Sequence, residues 1–232
     1  MMPVNRRKVL VLFSSAAIGG AERSIGNMAI NNSNESVSYQ LATLGSNGPV
    51  SNWIKSNDFE CFCFNKNIIQ LIRFISYNKP YVVYVIGFRL SVLLRFYCKI
   101  FTKIRIVQGV RWNPSSNSRL DRTFRVVEKF FSFLIDGYIV NSNSAKKLLL
   151  SIPIEKVELI YNGISDNNFN QKELTQKKYV VTVANLAARK GYLEYLEIID
   201  NIIKEYPETC LLYTSDAADD SLRVDLGGRR II

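Results

Sequence analysis

The stretch DGYIVNSNSAKKLLLSIPIEKVELIYNGI, residues 136–164, decides the fold class. Gly137-Tyr138-Ile139-Val140 is a short apolar run of buried-strand type, and Asn141-Ser142-Asn143-Ser144 offers several N-cap side chains. Residues 145–150 read as a helix with Lys146 and Lys147 outward and Leu148 to Leu150 inward, and Pro153 stops it. Val157-Glu158-Leu159-Ile160 alternates as the next strand, and Asn162-Gly163 turns the chain away. Strand, helix, strand in this order implies a parallel pair joined by a right-handed crossover, hence an α/β domain.

Working outward, the same grammar repeats. Strands are expected at residues 8–13, 38–44, 59–64, 82–86, 104–107, 137–140 and 157–160, with helices at 68–77, 91–101 and 120–134. In the last of these, Leu120, Phe124, Val127, Phe131 and Leu134 recur at helical spacing, and Arg122, Arg125 and Lys129 take the other side. The fold class is therefore α/β, a Rossmann-like doubly wound parallel sheet. A new unit opens with a strand at 179–184 and a helix from 191 to about 205, which Pro207 ends. The expected organisation is a domain at 1–165, a linker at 166–177, an incomplete second domain at 178–209, and a tail at 210–232.

The tail differs in composition. All 21 Asn and all 15 Lys lie before residue 210, whereas the last 23 residues carry three Arg and four Asp. The net charge of the whole is +10, so the body stands at +11 and the tail at −1. The tail also resembles a sequence that recurs where library-adapter DNA is read as protein at the ends of truncated frames, and it is expected to be non-native.

Other sequence features bound the function. Four cysteines without a CxxC, and no histidine at all, argue against a Cys/His zinc site and for reduced thiols. Cys61 and Cys63 lie two apart in one strand, on the same face, and are poorly placed to bond to each other. The basic N-terminus, Arg6-Arg7-Lys8 before Val9 to Phe13, mimics a signal peptide, but its apolar run is only five residues long and feeds a glycine turn. Residues 81–101 include Arg89, Arg95 and Lys99, too many charges for a transmembrane span. A basic nucleic-acid binder is a conceivable class for a +11 body, but the Lys and Arg are scattered and no recognition motif accompanies them.

Three places could carry chemistry. Gly19-Gly20 sits between the first strand and first helix, where backbone can approach an anion at a helix N-terminus. It is not a dinucleotide fingerprint, since GxGxxG is absent. A loop after the fifth strand holds Gln108, Arg111 and Trp112, which suit a phosphate clamp or a sugar-stacking surface; a loop anchored by Trp112 with Arg111 in solvent is the plainer alternative. Asn185 to Gly191 puts Arg189 and Lys190 at the start of a helix.

Together, GGAER after a first buried strand, the NS step before an apolar helix, the VELIYNGI strand with Phe169 soon after, and the ARKG loop resemble family 4 glycosyltransferases of the GT-B fold. The resemblance covers nearly all of residues 6–209, a full acceptor-side domain and the first strand and helix of the donor-binding one. It implies a retaining enzyme that moves a sugar from a nucleotide-diphosphate donor to a glycan or lipid-linked acceptor in cell-surface polysaccharide synthesis, with no obligatory metal or cofactor. It assigns donor-diphosphate contacts to Gly19, Gly20, Arg189 and Lys190, and the acceptor or sugar pocket to Gln108, Arg111 and Trp112. Many relatives place a histidine or another polar residue in the second loop and an arginine where Asn185 stands, so the chain departs from the pattern there. The family's paired acidic donor motif is absent, and the chain as given is expected to be inactive. The expected setting is cytoplasmic, at the inner face of the plasma membrane, with a nucleotide sugar, an acceptor and a peripheral membrane surface as partners and no nucleic acid. A non-catalytic nucleotide- or glycan-binding module is the alternative.

Overall fold

A computed structural model describes residues 6–112, 119–150, 152–163, 179–183 and 192–214. The chain divides into two compact units, Met1–Ile164 and Ser165–Ile232.

In the first unit the elements run β1 (Arg7–Phe13), α1 (Gly20–Ile30), β2 (Val37–Thr43), α2 (Pro49–Ser56), β3 (Cys61–Cys63), α3 (Ile68–Asn78), β4 (Val82–Ile86), α4 (Phe88–Phe101), β5 (Arg105–Val110), α5 (Arg119–Phe131), β6 (Gly137–Val140), α6 (Asn143–Lys146) and β7 (Val157–Leu159). The seven strands form one parallel sheet in the order β3-β2-β1-β4-β5-β6-β7. Successive side chains of a strand point to opposite faces, so each central strand feeds two cores. Leu10 and Leu12 join Val83, Val85, Leu90, Leu94 and Phe124 on one face. Val11 and Phe13 join Ile25, Ala29, Leu41 and Ile54 on the other. Every one of these is fully or almost fully buried, and truncating one such Leu to Ala costs ~2–5 kcal/mol.

Helix starts follow local chemistry. Asn67 caps α3 by accepting from the Gln70 N–H at 3.0 Å, and Ser142 caps α6 by accepting from the Ala145 N–H at 3.1 Å. Pro49 opens α2, where a missing N–H costs nothing. By contrast, α1 and α4 begin at Gly19 and Gly87 with no side-chain cap.

Several sequence expectations shift. The fifth strand continues past residue 107 to Val110. The helix expected at 91–101 begins at Phe88, and the one expected at 145–150 is a single α-turn, Asn143–Lys146, followed by a 3-10 turn, Lys147–Leu149. Helix α2 was not foreseen, because Trp53 and Ile54 offer only a short apolar stripe. Helices α4 and α5 also carry a buried pair that the sequence reading did not name. Arg95 and Glu128 are wholly buried, while Phe96, Ile100, Phe101 and Phe130 are exposed. Arg95 donates to both carboxylate oxygens of Glu128, at 2.9 and 2.7 Å, and to Gln108 Oε1 at 2.5 Å. Tyr138 hydroxyl donates to the same carboxylate. Burial, reinforced by the Glu128 charge, raises the Tyr138 pKa.

In the second unit β8 (Tyr179–Val183) and β9 (Cys210–Thr214) pair in parallel, with α7 (Tyr192–Glu205) between them in sequence. Regular structure therefore runs past the compositional break at residue 210, where Tyr213 and Thr214 are of strand-favouring type. The four cysteines are free. Among the described residues, no helix is long and apolar enough to cross a membrane.

Candidate functional site

In a doubly wound sheet the ligand crevice opens beyond the carboxyl ends of the strands, where successive strands depart in opposite directions. Here that point is β1, flanked by β2 and β4. A cleft of about 580 Å³ lies there, lined by Ser14, Glu22, Gly87, Arg89, Arg111 and Trp112 together with apolar side chains.

The backbone shapes it. Gly87, between β4 and α4, has φ +136°, and a Cβ there would lie 2.4 Å from the Ser14 Cβ. Only glycine allows β1 and β4 to end this close together. A Cβ on Gly109 would meet Ile86 Cδ1 at 2.6 Å and the Tyr84 hydroxyl at 2.9 Å, so β5 is held equally close to β4. Gly19 is extended, and its carbonyl accepts from the Arg23 N–H at 3.0 Å, the first bond of α1. Space in front of Gly20 is open, with no atom within 4 Å of an added Cβ. The uncapped first turn of α1 thus presents backbone N–H groups and the positive end of a helix dipole to the crevice side.

Arg111 is the most constrained polar group in the cleft. It donates to Asn162 Oδ1 and, at 3.2 Å, to the Tyr84 hydroxyl. Its Nε is buried and makes no hydrogen bond. Burial raises the Tyr84 pKa, and the neighbouring Arg111 charge works against that rise. Trp112 is half-buried, edge-on to Phe124 at 5.0 Å, and lines the cleft as well as anchoring the loop.

The expected site residues separate. Arg111 and Trp112 line the cleft, and Gly19 and Gly20 begin the helix whose Glu22 reaches it. Gln108 does not line it. Strand alternation sends its side chain to the opposite face, where it is wholly buried against Arg95. Arg189 and Lys190 lie outside the described residues. The sequence reading passed over Glu22, Arg89 and Asn162. Gly87-Phe88-Arg89 repeats the strand, glycine, helix order of Gly19-Gly20 and would have pointed to Arg89; nothing local pairs Asn162 with Arg111, 51 residues away. The arrangement offers two guanidiniums and two helix starts without a side-chain cap to an anion, and one carboxylate to a hydroxyl.

Residues 18–168 match the sequence profile of Glycosyltransferase Family 4. The chain belongs to that family. Solved structures share the fold at low identity. A glycosyltransferase from Rickettsia africae superposes with a TM-score of 0.65 at 13% identity, over 93% of this chain and 69% of that one. The lipopolysaccharide outer core galactosyltransferase WaaB superposes with a TM-score of 0.60 at 12% identity, over 90% and 69%. UDP-GlcNAc 2-epimerase from Neisseria meningitidis, bound to UDP-GlcNAc, superposes with a TM-score of 0.61 at 15% identity, over 91% and 66%. This chain spans 63% of a further structural relative, S. aureus MnaA with UDP. No curated protein matches the sequence.

Proposed function

We propose that this family 4 chain is the acceptor-side part of a retaining glycosyltransferase that draws a sugar from a nucleotide-diphosphate donor. The acceptor in this reading is a glycan or a lipid-linked saccharide in cell-surface polysaccharide synthesis, met at the cytoplasmic face of a membrane. Arg111 carries the proposal: a half-buried guanidinium, fixed by Tyr84 and Asn162, lines a cleft beyond the carboxyl ends of β1, β4 and β5. A charged guanidinium already held in place by two partners suits a phosphate or sugar oxygen.

The donor diphosphate would be met by the α1 N-terminus at Gly19-Gly20, with Arg89 and Arg111 spreading its charge. Arg189 and Lys190 would serve the same leaving group, and Glu22 would accept a hydrogen bond from an acceptor hydroxyl. Trp112 would give the sugar a ring surface. Chemistry of this kind rests on positioning and on charge stabilisation of the departing diphosphate, with no metal required of these residues. The 232 residues, spanning about two thirds of the structural relatives, are proposed to bind without transferring.

The test is a panel of nucleotide sugars incubated with a family 4 protein that carries this domain with a complete donor half, assayed for transfer and for isomerised sugar. Transfer that Arg111→Gln lowers at least tenfold is the expected result. Isomerisation of the donor, or binding without transfer, would replace the proposal with an epimerase or a non-catalytic module.

A further inference from the structure

A second, larger cleft lies at the opposite edge of the sheet, at the amino ends of β1, β4 and β5. Its volume is about 1070 Å³, and its lining includes Arg6, Arg7, Lys8, Lys79, Lys103 and Arg105 but neither Asp nor Glu. Among the described residues, none of these six cations is paired with a carboxylate. The sheet itself gathers them. Arg7 and Lys8 begin β1, Arg105 begins β5, and β4 between them brings Tyr81 to the same level, its N–H donating to the Lys8 carbonyl at 2.8 Å.

Tyr81 organises the floor. The Arg7 and Arg105 guanidiniums sit 5.1 and 5.0 Å from its ring centroid. Two like charges are thereby held within about one Debye length of each other, roughly 10 Å in 0.1 M salt. Stacking uses the face of a guanidinium and leaves its N–H edge to a ligand. Lys79 is fixed at the rim in a left-handed conformation, φ +44°, as the C-cap of α3. Lys103 follows the end of α4, where Thr102 closes the turn by donating to the Cys98 carbonyl at 2.8 Å. A solvated face usually mixes signs of charge; six cations around one concavity without a carboxylate leave an uncompensated positive field.

We infer that this cleft is a binding site for phosphate esters carrying more than one negative charge, separate from the carboxyl-edge cleft and independent of its function. Exposed Tyr77 and Phe101 stand beside it. The phosphates could belong to a soluble polyphosphate or to clustered anionic lipid headgroups, and these aromatic side chains suit the second source.

The test uses the whole chain at 50 mM salt with two probes: sodium tripolyphosphate by calorimetry, and phosphatidylglycerol vesicles by co-sedimentation. Binding of tripolyphosphate identifies the soluble source, and binding of vesicles alone identifies the lipid source; either supports the site. Lys103→Glu is expected to weaken the bound probe about tenfold, the scale of one charge-assisted contact. Lys147→Glu makes the same change of net charge on an exposed residue outside the cleft and should leave affinity within about twofold. Arg105→Gln, which removes one charge where Lys103→Glu reverses one, should weaken the probe in the same direction by a smaller factor, so a folding defect of one variant cannot decide the result. Failure of both probes to bind, or equal losses for Lys147→Glu and Lys103→Glu, would overturn the inference.

Discussion

Glu128→Ala is the sharpest perturbation of this fold. It strands the fully buried Arg95 guanidinium, which now has both carboxylate oxygens of Glu128 at 2.9 and 2.7 Å, Gln108 Oε1 at 2.5 Å and Ser91 Oγ at 3.3 Å. Breaking a buried pair from one side costs ~3–5 kcal/mol, because a charge is left in a low dielectric. Replacing both partners by apolar groups removes that charge, and Tyr138, Gln108 and Ser91 then each lose a bond, at ~1–3 kcal/mol in all. Arg95→Met with Glu128→Leu should therefore be more stable than Glu128→Ala alone by ~2 kcal/mol. Urea unfolding read by tryptophan fluorescence suits the test, since both tryptophans, Trp53 and Trp112, lie in the first unit. With a slope of ~2 kcal/mol per molar urea, Glu128→Ala should lower the midpoint by ~1.5–2.5 M. A drop below ~0.5 M, or a double variant no more stable than Glu128→Ala, would refute the reasoning.

Gly87→Ala should cost ~2–4 kcal/mol in the same assay, since alanine strains at φ +136° and its Cβ meets Ser14; a loss under ~1 kcal/mol would show that β1 and β4 can part. Burial pushes the thiols of Cys61 and Cys98 up to about 12, so both should resist iodoacetamide at pH 8 until urea is added, as peptide mass spectrometry would show. These are acids whose folded pKa lies above the unfolded one, so their stabilising contribution is intact below pH ~9 and is lost as pH rises from there towards 12. A denaturation midpoint that rises over that alkaline range would contradict this. The purified 232-residue chain is expected to transfer no sugar; turnover abolished by Lys190→Ala would overturn that expectation.

What was legible in the sequence was whatever depends on period and punctuation. Val9 to Phe13, Val82 to Ile86 and Gly137 to Val140 are apolar on both faces, and only a parallel sheet covered by helices on both sides buries such runs. The Arg95–Glu128 pair was not legible, because the partnership spans 33 residues that no local pattern connects. Gln108 was misplaced for another reason. A polar residue near a strand's carboxyl end suggests a site, yet alternation assigns Gln108 and Arg111 to different surroundings once the strand runs on to Val110. The amino-edge cleft was invisible because Arg7 and Arg105 are brought together by the register of β1, β4 and β5, and Lys79 by the end of α3.

Trp112 lines the carboxyl-edge cleft proposed to hold a nucleotide-diphosphate sugar with its acceptor, and reports on that binding directly. In a Trp53→Phe background Trp112 is the sole tryptophan, and its emission can be followed during titration with UDP, GDP and ADP. A saturable change is expected with one of them, at a Kd of roughly 1 mM for the first unit alone. Arg111→Gln should weaken that response about tenfold, while Lys103→Glu at the opposite edge should leave it unchanged. No response to any nucleotide at several times that concentration, or a response that Arg111→Gln leaves intact, would contradict the account.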